Sequence, residues 1–221
     1  MTAFNAEKTI EQAIRSVMNQ SHQNWNLVII DDCSSDRTPQ IIRSFQDSRI
    51  TYFVRTENQR QWANRNMAIS IGLKQSSKPD FFTSIDADDI AKPHWLHKSL
   101  ELFTTDSIIA IRPIIERVNY TTLQSLRSAP ACQQTMWRRE VFETIGGYRT
   151  DIAASDSDFM NRARRLAIMN RQQILLSTEK LQLMRDQPNS WSKQYTRKDK
   201  LFKDYGQSSN NDLFVPLECQ N

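Results

Sequence analysis

The stretch Phe81–Asp89, FFTSIDADD, decides the fold class and points to the site. Phe81 to Ile85 is rich in aromatic and β-branched residues, which predicts a short strand in a covered sheet. The strand stops at three carboxylates, Asp86, Asp88 and Asp89. Like charges packed this closely repel one another unless a cation or a water-filled cleft relieves them. In open α/β sheets, ligands sit in the crevice beyond the carboxyl ends of strands, where this cluster would lie. Hard oxygen ligands at such a spot suit Mg or Mn shared with the phosphates of a substrate. The plainer alternative is a polar turn with Asp89 capping the next helix.

The segments around this stretch alternate between strand and helix. Ala6–Asn19 carries an apolar stripe (Ile10, Ala13, Ile14, Val17, Met18), with Asn5 placed as N-cap. Trp25–Ile30 is a β-rich run that ends at Asp31-Asp32 and a polar turn. Thr38-Pro39 then opens a helix with an N-cap and a proline in the first turn. Ile50–Val54 reads as a strand and Gln61–Leu73 as a helix. After the acidic cluster, Lys92-Pro93 launches a helix through Phe103, and Ile108–Ile115 is a further strand. Such alternation argues for an α/β fold with a mostly parallel, Rossmann-like central sheet flanked by helices. Only Met1–Phe4 precedes the first helix, so the first strand is expected to be missing or truncated. Either the chain begins late or another run, such as Leu213–Leu217, fills that slot.

The second half loses the alternation. Asn119–Gln134 reads as polar and irregular, and Arg138–Ile145 as a helix ending at Gly146-Gly147. Ser155–Asn170 is a basic amphipathic helix; Ile174–Leu176 and Leu181–Met184 are short strands. Ser190–Tyr205 is expected to form a charged helix and Gln207–Asp212 a linker.

Hydrophobic residues make up 38% of the 221 and charged residues 24%, so a real core is expected. The net charge of +4 and the basic stretches Arg162–Arg165 and Arg197–Lys203 allow docking to an anionic membrane surface or a phosphate-bearing substrate. They do not call for nucleic acid, because the aromatics fall in apolar periodic runs and do not line a basic groove. Cys33, Cys132 and Cys219 lack metal-ligand spacing and read as reduced thiols. With no apolar run near 18 residues and no signal-like opening, a soluble cytoplasmic protein is expected.

Six blocks, in order, resemble the family-2 glycosyltransferases, which carry the nucleotide-sugar-binding GT-A fold. They are TAFNAEKTIEQAIRSVMNQS from Thr2, WNLVIIDDCSSDRT from Trp25, NQRQWANRNMAI from Asn58, SIDADD from Ser84, RREVFETIGGY with the later SDSDF, and LMRDQPNSWS up to Ser192. The resemblance implies a nucleotide-sugar-binding half over 1–115, an acceptor-binding and catalytic half over 116–192, and a C-terminal helix and tail over 193–221. It implies transfer of a sugar from a nucleotide-sugar, a UDP-sugar by expectation, to a hydroxyl of a saccharide or lipid-linked acceptor, with inversion. A divalent metal, Mn or Mg, would assist departure of the diphosphate. The same resemblance leaves room for peripheral contact with the membrane and for a homodimer.

By this resemblance Asp88 is the metal ligand, and Asp86 lies near the ribose or a metal-bound water. Asp89 is either a second ligand or a helix cap. Asp32 would bond the N–H of the base, and Thr2 and Phe4 would flank its ring. Arg60 and Arg65 could face the diphosphate, but five residues apart they cannot lie one above the other on a helix, so one is expected to be a surface charge; Arg60 is preferred as the ligand. Asp156 would be the general base, kept ionised at a helix N-terminus, with Ser155 free to cap and Asp158 structural. Gly146 and Gly147 would let backbone approach a sugar closely, and Trp137 would offer a ring to stack on the acceptor, unless it packs on the sheet. Two departures stand out: Ser155 replaces the acid that usually precedes the base, and Gln187 replaces a histidine of the metal shell. They favour the competing possibility, a degenerate relative that binds nucleotide or glycan without turnover.

Overall fold

The computed structural model describes residues 1–186, an α/β architecture built on two sheets. The first sheet is parallel and holds β1 (Thr2–Ala3), β2 (Leu27–Asp31) and β3 (Ile50–Val54) in that order. Thr2 and Ala3 pair with Ile30 and Asp31, so these two residues themselves fill the first-strand slot. Leu213–Leu217, Gln187, Cys219 and the expected Ser190–Tyr205 helix lie outside the described residues.

Helix α1 (Ile10–Met18) follows β1 and buries the stripe Ile10, Ala13, Ile14 and Val17. It starts later than its periodicity suggests, and Asn5 does not cap it. Asn5 has a φ of 47° and turns instead to the loop after β2, where its Oδ1 accepts the N–H of Ser35 at 2.9 Å. That loop also supplies Thr38 Oγ1 to the N–H of Ala6 (2.7 Å) and Asp36 Oδ2 to the N–H of Glu7 (3.0 Å). Side-chain acceptors from a distant turn thus take the N–H groups that a longer helix would have left orphaned. Asp36 Oδ1 also accepts the N–H of Thr38 (2.9 Å) at the start of α2 (Thr38–Arg43).

Helix α3 (Arg60–Leu73) crosses from the first sheet toward the second. At Gly72 a Cβ would lie 2.6 Å from Cε1 of Phe82, so the missing side chain lets α3 rest directly on β4 (Phe81–Phe82). Then come β5 (Ile90–Ala91), α4 (Trp95–Glu101), β6 (Ile108–Asn119), β7 (Ser125–Pro130), β8 (Met136–Arg138), α5 (Arg139–Ile145), α6 (Ser155–Asn170) and β9 (Gln173–Asp186). The second sheet has the order β4-β8-β6-β9-β5, with β7 also paired to β6. Only β6 and β9 run parallel there and the other pairs are antiparallel, so the expected mostly parallel sheet is in fact mixed. One of these pairs is the β6–β7 hairpin: the stretch expected to be irregular returns along β6, and a short return of this kind forces antiparallel pairing. Likewise β9 is one long strand, not two short ones, with register shifts against β6 where the apolar pattern breaks.

Two apolar clusters result. One packs α1 against β2 and Trp95; the other gathers Trp62, Ile69, Trp137, Phe142, Tyr148 and Phe159 between α3, α5 and α6. Trp137 is only 1% exposed, with its ring edge-on to Phe159 at 5.0 Å. It packs on the sheet and presents no face to an acceptor sugar, which corrects that assignment. Trp137→Ala is expected to destabilise the fold by about 3–5 kcal/mol through the cavity it leaves. Urea denaturation measures this; a loss below about 1 kcal/mol would be that of a surface residue.

Candidate active site

A cleft of about 590 Å³ opens where β1, the loop after β4 and the start of α3 meet. Such a volume falls within the range that accepts small ligands and cofactors. Thr2, Ala3 and Phe4 form one wall, Asp86, Ala87 and Asp88 another, and Asp32, Gln61 and Asn64 a third. Phe4 lines the cleft with a ring that is 53% exposed. The walls are stitched together by an isolated parallel bridge between Thr2 and Asp86. The strand expected over Phe81–Ile85 is paired only as far as Phe82. Thr83 and Ser84 leave the ladder and donate their hydroxyls to the carbonyls of Gln134 (3.1 Å) and Gln133 (2.6 Å).

The three clustered acids meet three different fates. Asp86 forms an ion pair with Arg65, a side chain only 4% exposed that also donates to Gln133 Oε1 at 3.2 Å. Burial works to lower the pKa of Arg65, but Asp86, Tyr148 and Asp156 together outweigh it and the net shift is upward. Asp89 is 2% exposed and accepts from Gln134 Nε2 (3.2 Å) and the N–H of Arg185 (3.3 Å). Burial, then the nearby Asp88 and Asp86, push its carboxyl well above the usual range. It caps no helix, since α4 begins at Trp95 without a side-chain cap, and it does not line the cleft. Asp88 is the member of the trio that lines the cleft without serving as Arg65's partner.

Asp32 also lines the cleft, but its two oxygens accept the backbone N–H groups of Gln59 (2.8 Å) and Arg60 (2.9 Å) at the start of α3. A carboxylate retains further lone pairs, so this does not exhaust its capacity. Arg60 takes part through its backbone, with a φ of 63°, and its side chain is not among those lining the cleft. Arg65 is the arginine brought to the acidic loop, where it pairs with Asp86, and neither arginine is among the residues lining the cleft.

Asp156 stands in the first turn of α6, and its charge reaches both Arg65 and Tyr148. The placement comes from α3. Asn66 exchanges hydrogen bonds with the backbone of Tyr148 (2.7 and 2.8 Å), and Trp62 Nε1 donates to the carbonyl of Ala153 at 3.2 Å. The Tyr148 hydroxyl, buried and near Asp156, has its pKa pushed up to about 12. Ser155 does not cap α6; its Oγ is buried with no hydrogen-bond partner among the described residues. Asp158 holds Arg162 at 2.8 Å, and Arg162 donates to the carbonyls of Ile145 and Gly147, both at 2.6 Å. The Gly146-Gly147 turn, with Gly146 at φ 68°, is thereby tied to α6. Neither glycine, nor Asp156, lines the 590 Å³ cleft itself.

Sequence reasoning passed over Lys8, Asn64 and Tyr120, all of which line the cleft. Tyr120 sits at the tip of the β6–β7 hairpin, and its only signal was the continuation of β6 past Ile115 through the buried Val118.

The model of glycosyl transferase family 2 matches residues 1–172. The chain belongs to that family. A relative from Escherichia coli, named a UDP-Glc:alpha-D-GlcNAc-diphosphoundecaprenol beta-1,3-glucosyltransferase, is 37% identical over 102 residues, which are 46% of this chain and 37% of the relative. The chain thus spans well under two thirds of that relative's length. Among solved structures, S. aureus TarS 1–349 in complex with UDP-GlcNAc superposes with a TM-score of 0.71 at 16% identity, over 88% of this chain and 60% of that one. The mannosyltransferase PcManGT from Pyrobaculum calidifontis, in complex with GDP-Man and Mn2+, gives 0.68 at 15% identity, over 87% and 57%. The fold is therefore GT-A, as the family resemblance implied.

Asp86→Asn would leave the Arg65 guanidinium buried without its anion. It is expected to lower stability by about 3 kcal/mol, the scale of breaking one side of a buried ion pair. Thermal or urea unfolding checks this; a change within experimental error would mean that Arg65 does not depend on Asp86.

Proposed function

We propose that this chain transfers a sugar from a nucleotide-sugar, a UDP-sugar, to a hydroxyl of a saccharide or lipid-linked acceptor with inversion at the anomeric carbon. One observation carries this: the acids at 32, 86 and 88 share one cleft, and Asp156 acts on the same buried arginine that pairs with Asp86. Phe4 supplies an exposed ring for the base, with Thr2 beside it and Asp32 at the base's N–H. Asp156, in the first turn of α6, accepts the proton of the acceptor hydroxyl as that oxygen attacks the anomeric carbon.

The donor set fits a divalent cation that arrives with the diphosphate. Among the described residues no three His, Cys, Asp or Glu side chains converge into a metal cage. Mg and similar ions are commonly held by one or two carboxylates with substrate phosphates and water completing the shell. Asp88 would hold such an ion. When bound, it offsets the charge that develops on the leaving diphosphate. The Mn2+ of PcManGT and the lipid-linked acceptor named for the E. coli relative support the metal and the acceptor class.

Release of UDP from UDP-sugars in the presence of Mn tests the proposal. Asp156→Asn is expected to lower turnover by about 10²–10⁴-fold with donor affinity kept, the scale of losing a general base. Asp88→Ala is expected to abolish the Mn dependence. UDP binding without turnover on any acceptor would favour the non-catalytic alternative instead.

Peripheral contact with an anionic membrane has its own support. At the end of α6, Ile168 and Met169 are 79% and 80% exposed beside the exposed Arg164 and Arg165, and residues 159–178 contain no carboxylate. Apolar side chains edged by arginine suit an anionic bilayer interface. Sedimentation with phosphatidylglycerol vesicles is expected, with loss in the Ile168→Ser, Met169→Ser double variant. Equal sedimentation of that variant would remove this face from the contact.

A further inference from the structure

Arg185, near the end of β9, is 8% exposed and reaches three separate parts of the molecule. Its backbone N–H donates to Asp89 Oδ1 at 3.3 Å, and its Nη1 donates to the carbonyl oxygen of Asp88 at 2.5 Å. Its Nη2 donates to Gln12 Oε1 on α1. Its guanidinium carbon lies 6.0 Å from the centroid of the Tyr120 ring, which lines the cleft from the hairpin tip. The strand end that carries it is anchored in turn, with Arg185 opposite Val118 in the parallel register and Asp186 paired with Arg117 at 3.8 Å.

We propose, on the footing of the metal-assisted transfer above, that Arg185 is the positioning residue for Asp88. The peptide between Asp88 and Asp89 is held at its carbonyl by Arg185 and at its N–H by the Asp86 carbonyl (3.1 Å), and Arg185 also fixes the neighbouring Asp89 carboxyl. Fixing that peptide plane limits the directions in which the Asp88 side chain can leave the backbone. The planar fork of a guanidinium can serve the Asp88 carbonyl and the Gln12 amide at once, while its face meets Tyr120. A lysine ammonium offers no such fork. Groups that orient a metal ligand without touching the metal typically cost 10–100-fold in metal affinity when removed.

The experiment is calorimetric titration of the full chain with UDP, in EDTA and across a range of Mn concentrations. Arg185→Lys and Arg185→Met are both expected to raise the Mn concentration for half-maximal UDP binding by ~10-fold or more. UDP affinity in EDTA should be unchanged. Gln12→Met, at an exposed position on α1, is expected to shift the Mn requirement the same way by a smaller factor with the melting temperature unchanged. It decides the matter if the Arg185 variants do not fold. Equal weakening in EDTA and in Mn would make Arg185 a general support of the cleft and overturn the proposal. Unaltered Mn dependence in the variants would overturn it alone. Absence of any Mn effect in the unaltered protein would overturn the metal-assisted function and this proposal together.

Discussion

A guanidinium shut away from water must keep an anion beside it, and in this molecule Arg65 keeps Asp86. Two of its three nitrogens, Nε and Nη1, are buried without a hydrogen-bond partner among the described residues, so the pairing through Nη2 carries most of the compensation. Its guanidinium carbon lies 5.1 Å from the centroid of the Trp62 ring, and the charge of Asp156 lies within reach. The pair locks α3 to the acidic loop, and the Thr2–Asp86 bridge locks that loop to the first sheet. The first sheet, the acidic loop and helix α3 are therefore arranged around a single buried contact.

Helix α3 serves two directions at once. Gln61 and Asn64 face the cleft, while Trp62 and Asn66 hold the segment that leads into α6. The first turn of α6, far along the chain, is held against α3 by these polar contacts at 2.7–3.2 Å together with the apolar cluster around Phe159. Hydrogen bonds buried in this way are costly to leave unmade, so they specify one docking of α6 over its neighbours.

Local pattern revealed the elements whose burial follows from periodicity. The stripe of α1, the apolar runs of β2 and β3, and the bounds of α6 all emerge from spacing alone. The acidic cluster declared a site because three carboxylates cannot share a strand interior. What stayed hidden depends on contacts made across the fold. Asn5 has the residue type of a cap, but Ser35, remote in sequence, claims its oxygen. Arg60 and Arg65 have the same chemistry, and which one meets Asp86 depends on the rotation of α3 about its axis. Trp137 suits a core or a sugar platform equally well until its neighbours are known. The strand β7 is almost wholly exposed and so carries no apolar signature; its pairing with β6 alone makes it a strand.

The charge of the cleft explains why a divalent cation belongs in the proposed chemistry. Glu7, Asp32, Asp36, Asp86 and Asp88 line it against Lys8. Several of these are engaged: Glu7 with Arg37, Asp86 with Arg65, and Asp32 and Asp36 with backbone N–H groups. Even so, a diphosphate entering such a space meets repulsion of about 4 kcal/mol for each unit charge left uncompensated at 4 Å, with an effective dielectric of 20. A cation shared between Asp88 and the diphosphate would turn that repulsion into attraction. A resident cage would need more ligands than this loop offers, because Asp86 is committed to Arg65 and Asp89 is buried. A cation that came and went with its nucleotide would need only one well-aimed carboxylate, and in the proposed chemistry the aim of Asp88 would then be the property for the surrounding structure to secure.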